Sequence, residues 1–373
     1  MPISNSDFQV IEETVRQYAH EGYTNSKKLV NTGVVGSRSD VDGDVESYIG
    51  QFRWYKTLNP TINIASTTDA TAGTVTGIST DIAKYVKSVR TYGGEQVNVQ
   101  KVISGEDGLL KIARDLAQVQ IDDQGNALMA VLKGVAASEV TLGDLGGAGA
   151  GGFIDYDTDA DTAATGFFVD VNALSPVFGA AATGTGDQRK LFDASGMGAA
   201  RGERLFQAIG MAYKDYETDW MYMVTSPETV AEMRAANLVD ETKVTDGELE
   251  FTTIFDGKFR LLPTRQNQMA ASLPTGDVNA QSTKCTFVLK PNSVSFSQVN
   301  PPMPVEMERT AASYKGSGMT QLWYRWGYVF HPEGYTWAGS ESAFASDTTY
   351  AAAASWTRKV SALNLPILPI FHS

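Results

Sequence analysis

Three histidines, one cysteine, two rows of aspartate, a glycine-rich run and a pair of alternate glutamates are the residues whose types and spacing could do chemistry. Histidine is the usual proton carrier in acid–base and nucleophilic catalysis. Only His20, His331 and His372 exist, two of them close to the termini. No GxSxG, HExxH or paired-histidine spacing accompanies them. Cys285 is the only cysteine, so an intrachain disulfide and a multi-cysteine zinc or iron–sulfur site are excluded. Between Lys284 and the run Thr286-Phe287-Val288-Leu289 it reads as a small residue packed in a strand. Asp155, Asp157, Asp159 and Asp161 imitate the opening of a calcium loop, as do Asp40, Asp42 and Asp44. An EF-hand also needs Gly at its sixth position and Glu at its twelfth. Those places hold Ala160 and Gly166 in the first row, Val45 and Gln51 in the second. Solvated acidic loops are the default reading, with adventitious calcium the alternative. The run 146–152 is followed by Phe153-Ile154-Asp155 where a phosphate loop would carry Lys and Ser or Thr, so it reads as a flexible loop. Glu306 and Glu308 alternate in PVEMERT, sharing one strand face beside Arg309. Salt bridges to another subunit explain that trio better than catalysis. The expectation is no catalytic residue, no cofactor and no metal.

Whatever these residues do, a large acidic chain must position them. At 373 residues it is long enough for two domains or one extended one, and 42% hydrophobic residues suffice for a sizeable core. A net charge of −13 argues against condensation on nucleic acid or anionic lipid. No window reaches the ~18 apolar residues of a membrane span, and the N-terminus lacks a basic-then-apolar signal, pointing to a cytoplasmic origin.

The strongest element signal is the aromatic stretch GMTQLWYRWGYVFHPEGYTW, residues 318–337. Leu322, Tyr324, Trp326, Tyr328 and Phe330 alternate with the mixed set Trp323, Arg325, Gly327, Val329 and His331. That predicts a strand with one buried and one half-solvated face, then a turn at His331-Pro332-Glu333-Gly334 and a hairpin partner in Tyr335 and Trp337. A platform for stacking bases would want interleaved basic residues, and Arg325 stands alone. Residues 105–138 predict a long helix of about 25 residues, bent at Asp122-Asp123 and Gly125 and capped near Gly134. A short helix is expected from Asp7 to His20. TINIAS and IAKYVKSVRTYGG read as two strands around a Thr-rich tip that needs a neighbour to cover it. Beyond the Gly/Ala/Asp-rich stretch, RGERLFQAIGMAYKDY predicts a helix and WMYMVTS a strand. A second helix is expected to open with Ser226 as cap and Pro227 at its first turn, and FDGKFRLLPT and KCTFVLKPNSVSFS add strands.

The order of these elements resembles that of a tailed-phage major capsid protein of the Hong Kong 97 type, in its coat-protein branch. The similarity is carried by Leu132, Lys133, Gly134 and Val135 at the helix end, by WMYMVTSPETVAEMRAANLV, and by VEMERTAASYKGSGMTQLWYRWGYVFHPEGYTW, across roughly residues 100–340. The resemblance implies an α+β fold with residues 1–54 as N-terminal arm and 55–93 as an extended loop overlapping a neighbour. It implies a peripheral domain from 94–138, with the spine helix, and 297–340. Residues 139–296, with the Gly/Ala/Asp-rich insertion, would form an axial domain to which 341–373 returns. It further implies self-assembly as pentamers and hexamers around double-stranded DNA in the virion, after assembly in the host cytoplasm. A separate scaffolding protein, a portal and a decoration protein are the implied partners, with no membrane. Lys84, Lys87 and Arg90 join Glu306, Glu308 and Arg309 as candidate contacts between subunits. Relatives that crosslink join a loop lysine to an asparagine; nothing here identifies that asparagine or a catalytic acid, so no covalent crosslinks are expected. The competing readings are a nanocompartment shell of the same fold (the encapsulin type) and a β-rich enzyme or binding protein.

Overall fold

The computed structural model describes residues 32–38, 41, 47–55, 80–97, 108–142, 169–170, 209, 220–235, 238–240, 244–246, 249–255, 257–264, 284–313, 316, 318–360 and 365–372. The expected helix at 7–20, the TINIAS strand and nearly all of the Gly/Ala/Asp-rich stretch lie outside them, and of the helix expected at 201–216 only Ile209 is described. The described chain is mixed α/β and mostly strand, arranged as two main sheets with a long helix against them.

The first sheet is organised by one strand. The alternation from Leu322 onward becomes β13 (Met319–Pro332), the longest strand described. On one side it pairs antiparallel with β4 (Ser88–Val97), from Met319↔Val97 to Tyr328↔Ser88. On the other it pairs first with β12 (Val305–Thr310) and then with β11 (Val294–Val299), whose outer edge takes β1 (Val35–Ser37) in parallel. The change from β11 to β12 is a wide bulge. Five residues, 300–304, stand between the paired Val299 and Val305, against two, Arg325 and Trp326, on β13. Three of the five are prolines, which have no N–H to give the ladder. A separate pair, β2 (Ile49–Tyr55) and β3 (Thr80–Val86), lies over the second half of β13 and buries Val41, Phe52, Ala83 and Tyr85 with Val299 and Val329.

The second sheet takes most of the remaining strands, in the order β5 (Val169–Asp170), β16 (Ile367–His372), β10 (Lys284–Leu289), β6 (Met221–Thr225), β9 (Phe259–Pro263), β8 (Leu249–Ile254) and β7 (Val244–Asp246). Its central strands β6 and β10 are apolar and almost wholly buried, as strands covered on both faces must be. Cys285 is one of these buried strand residues, as the sequence suggests.

Between the sheets runs α1 (Gly108–Leu142), 35 residues without a break, or about 50 Å. The predicted helix is ten residues shorter, and two of its marks are corrected. Asp122, Asp123 and Gly125 do not interrupt it, because packing on both sheets outweighs their weak helix propensity. Gly134 is not a cap but a mid-helix contact. A Cβ there would collide with the Tyr350 carbonyl, which also accepts a bond from Trp356 Nε1 at 2.8 Å. Glu139, buried on the same helix, accepts from Arg358 Nη1 at 2.9 Å. The helix α2 (Pro227–Ala235) begins as expected, with Ser226 Oγ accepting from the Thr229 N–H at 3.2 Å.

One further expectation is corrected. The turn after β13 falls at Glu333-Gly334, where Gly334 takes φ +89°, but the strands on either side do not form a hairpin. β14 (Tyr335–Trp337) leaves the first sheet and pairs with β15 (Trp356–Arg358), just beyond the short helix α3 (Asp347–Tyr350). There Tyr350 and Trp356 stack and Trp337 meets both edge-on, with centroids 5.2–6.3 Å apart. The aromatic stretch therefore serves two packing units.

Candidate assembly surface

The two faces of β13 divide the functional residues. On the even face Leu322, Tyr324, Trp326, Tyr328 and Phe330 are all buried and meet α1. Tyr and Trp carry one polar tip each, which burial obliges to find a partner. Tyr324 Oη donates to Gln120 Oε1 at 3.1 Å, and Trp326 Nε1 and Tyr328 Oη both donate to Asp123 Oδ2 at 2.9 Å. Arg90 closes the cluster: its Nε bonds Tyr328 Oη at 3.2 Å, it lies 3.7 Å from Asp123, and it pairs with Asp347. Burial and the Asp123 charge push the Tyr328 phenol upward, so it stays protonated and donates. Burial also raises the Asp347 carboxyl, against the pull of Arg90. This polar knot ties the start of β4, the middle of α1, β13 and the start of α3 together.

On the odd face the first half of β13 is partly open. Trp323 lies across Gly93 of β4, where a Cβ would come within 2.7 Å of its ring, while the adjacent Gly94 makes the matching space for Ile112 of α1. Arg325 donates to Glu306 at 2.7 Å and to the Met303 carbonyl at 3.1 Å. Met303, in the proline bulge, is the most exposed large hydrophobic residue described, at 62%. From Gly327 onward both faces are buried, and Val329 and His331 lie under the β2–β3 pair.

The six sequence candidates are not brought together. Glu308 and Arg309 are exposed on β12 and form no ion pair among the described residues. Glu306 is exposed but already matched within the chain by Arg325. Lys84 bridges to Glu341 at 2.5 Å, its side chain 38% exposed. Arg90 belongs to the inner knot. Lys87 is 2% exposed, because it sits where β3 gives way to β4 and its backbone is held by Tyr48 and Ala345. The sequence reading missed Asp123 as the centre of the knot. The signal was an acid at helical spacing from Gln120, on a stripe facing rings that carry polar tips.

For chemistry the described residues offer little. No group of three or more His, Cys, Asp or Glu among them could hold a metal ion, and no described helix is long and apolar enough to cross a membrane. Burial pushes the Cys285 thiol far up, away from thiolate chemistry. Burial and the Arg38 charge push His331 down to about 3, so its ring is neutral.

No family model matches the sequence, and no curated protein matches it. Among solved structures the chain is similar to the capsid of Ralstonia phage GP4, at 10% identity and TM-score 0.48 over 92% of this chain and 89% of that one. It is also similar to the head structure of Helicobacter pylori bacteriophage KHP40, at 9% identity and TM-score 0.45 over 92% and 90%. The capsid structure of cyanophage P-SCSP1u matches at 12% identity and TM-score 0.42 over 91% and 86%.

Proposed function

We propose that this chain is a structural shell protein, the major capsid protein of a tailed phage with a Hong Kong 97-type fold, and not an enzyme. The observation that carries the proposal is the path of the chain. It runs from the β2–β3 pair through an uninterrupted 35-residue helix into a second, α/β-rich sheet, returns to the first sheet in β11–β13, and sends its last strand back to the second. We read that path as supporting the order of arm and loop, spine helix, axial domain, peripheral domain and returning tail that the sequence resemblance implies. On this reading the arm is 1–54, the loop 55–93, the peripheral domain 94–138 with 297–340, and the axial domain 139–296 with 341–373.

The shell is built from pentamers and hexamers of this chain, whose head-to-tail contacts close into rings. It is assembled in the host cytoplasm with a separate scaffolding protein and a portal, takes a decoration protein, and is filled with double-stranded DNA. The net charge of −13 suits a wall that holds DNA without gripping it. Lys84, half-buried on the overlying pair and matched to Glu341, and Glu308 and Arg309, exposed on β12, are the charges proposed to meet a neighbouring subunit. The test is sedimentation and negative-stain microscopy of the protein alone and co-expressed with its scaffolding protein. Closed shells or rings of five and six are expected. A stable monomer under every assembly condition would overturn the proposal.

A further inference from the structure

We propose that residues 338–346 form a releasable strap that sets the angle of the β2–β3 pair against the first sheet, with Lys87 as the pivot. β3 ends at Val86 and β4 begins at Ser88, so a single residue joins the two-stranded pair to the strand that runs along β13. A joint that short passes any movement of the pair straight to the backbone at Lys87. The inner face of the pair packs in a small cluster of its own, Val41, Phe52, Ala83 and Tyr85 with Val299 and Val329, separate from the main core.

The strap crosses this joint. It is strung between two buried posts, Trp337 and Tyr350, which both pack on Trp356. On the side of the pair, Lys84 Nζ lies 2.5 Å from Glu341, and Phe344 meets Tyr48 edge-on at 4.8 Å. At the joint itself the Ala345 N–H donates to the Lys87 carbonyl at 3.0 Å. On the side of the sheet, Ser88 Oγ donates to the Ala345 carbonyl at 2.8 Å, and Arg90 pairs with Asp347 at the start of α3. Contacts on both sides of one pivot make a splint. The pair cannot turn about Lys87 without breaking one set or the other.

The same contacts can be released with little loss of burial. Ala338 and residues 340–343 are exposed, and Ala345 is the one apolar side chain buried between the posts. Lifting the strap therefore uncovers little apolar surface. Its outer clasp, Lys84 with Glu341, is an ion pair near solvent that salt weakens. Segments held in this way open locally, ahead of the global fold. Opening frees the pair to turn about Lys87 and changes the direction in which it reaches. That this direction matters to a neighbouring subunit rests on the proposed shell function; the splint itself does not.

Thiol labelling of the full chain provides the test, because the native Cys285 is buried in the second sheet and reports global unfolding. Ala83→Cys places a second thiol on the inner face of the pair, where Ala83 is 2% exposed, so its alkylation reports lifting of the pair. The introduced thiol should be alkylated faster than Cys285. Glu341→Lys, a reversal at a side chain 62% exposed, should speed it about threefold to fivefold and leave Cys285 unchanged. Molar salt should speed labelling with the native clasp and slow it with the reversed one. Ser88→Ala should contribute a similar factor, multiplying to about tenfold or more in the double variant. If Ala83→Cys fails to fold, amide exchange in the chain without it reads the same opening at Ala345 and at Lys84, whose N–H donates to Thr336 Oγ1 at 2.9 Å. There Glu341→Lys should speed both amides by one factor, and an effect confined to either one overturns the proposal. Equal labelling of the two thiols in every variant, or a rate at the introduced thiol that Glu341→Lys and Ser88→Ala leave unchanged, overturns it likewise. The labelling needs no assembly, so a chain that forms no shells overturns the proposed function and leaves this result standing.

Discussion

The two faces of β13 solve different problems with the same fourteen residues. The even face meets α1, and the polar tips of Tyr324, Trp326 and Tyr328 are all bonded to that helix. The odd face has no single partner. Its first half lies on a glycine and an ion pair near solvent, and its second half is closed by a separate strand pair. A face served by one rigid element can be filled with large rings. A face shared among several can hold only what each provides, and it keeps a buried histidine with a spare lone pair.

Substitutions on each face, and a change of pH, separate the two. Trp326→Ala removes a buried ring and its bond to Asp123 from the even face and should cost about 3–5 kcal/mol in chemical denaturation. Trp323→Ala, the next residue but on the half-open face, should cost well under half of that; equal losses would mean that the faces are equally packed. Asp123→Asn keeps the shape of the knot but withdraws the charge that two donors and Arg90 share. It should cost about 2 kcal/mol, and substitutions at Arg90 and Asp123 should be non-additive in a double-mutant cycle.

The odd face should show a pH dependence. The folded His331 titrates near 3 and the unfolded one near its ordinary 6.5, so its contribution to stability is complete above pH 6.5 and is lost progressively as pH falls toward 3. Lowering the pH from 6.5 to 5.5 should cost about 1 kcal/mol more in the native chain than in His331→Phe. Identical slopes would assign the loss to carboxylates elsewhere. Arg325→Ala should have the smallest effect, about 0.5 kcal/mol or less, because its pair with Glu306 is near solvent and screened.

The even face of β13 could be read directly, since a period of two needs only the residues themselves. Its tertiary consequences could not. Gly134 looks like a helix end because glycine ends helices, but here the missing side chain admits the Tyr350 carbonyl, more than two hundred residues later in the chain. Pro332 and Gly334 correctly mark a turn, yet nothing local says that the strand beyond it leaves for β15. The pairing of Glu306 with Arg325 was hidden for a similar reason. An alternating acid on an edge strand looks available to a neighbour until the register of the adjacent strand is known. In the second sheet, β6, the cap at Ser226 and the strands around Cys285 were all legible, because each rests on a signal within a few residues.

The proline bulge between β11 and β12 has a consequence for the edge of the first sheet. An unpaired strand edge is a template on which identical chains can stack without limit. Here β1 occupies the outer edge of β11, three prolines interrupt the row of donors, and β12, which continues this side of the sheet, is only six residues long and carries Glu306, Glu308 and Arg309. Backbone pairing along this edge is thereby kept short and unrewarding. Any contact made along this edge is left to side chains, whose geometry can fix an angle and stop.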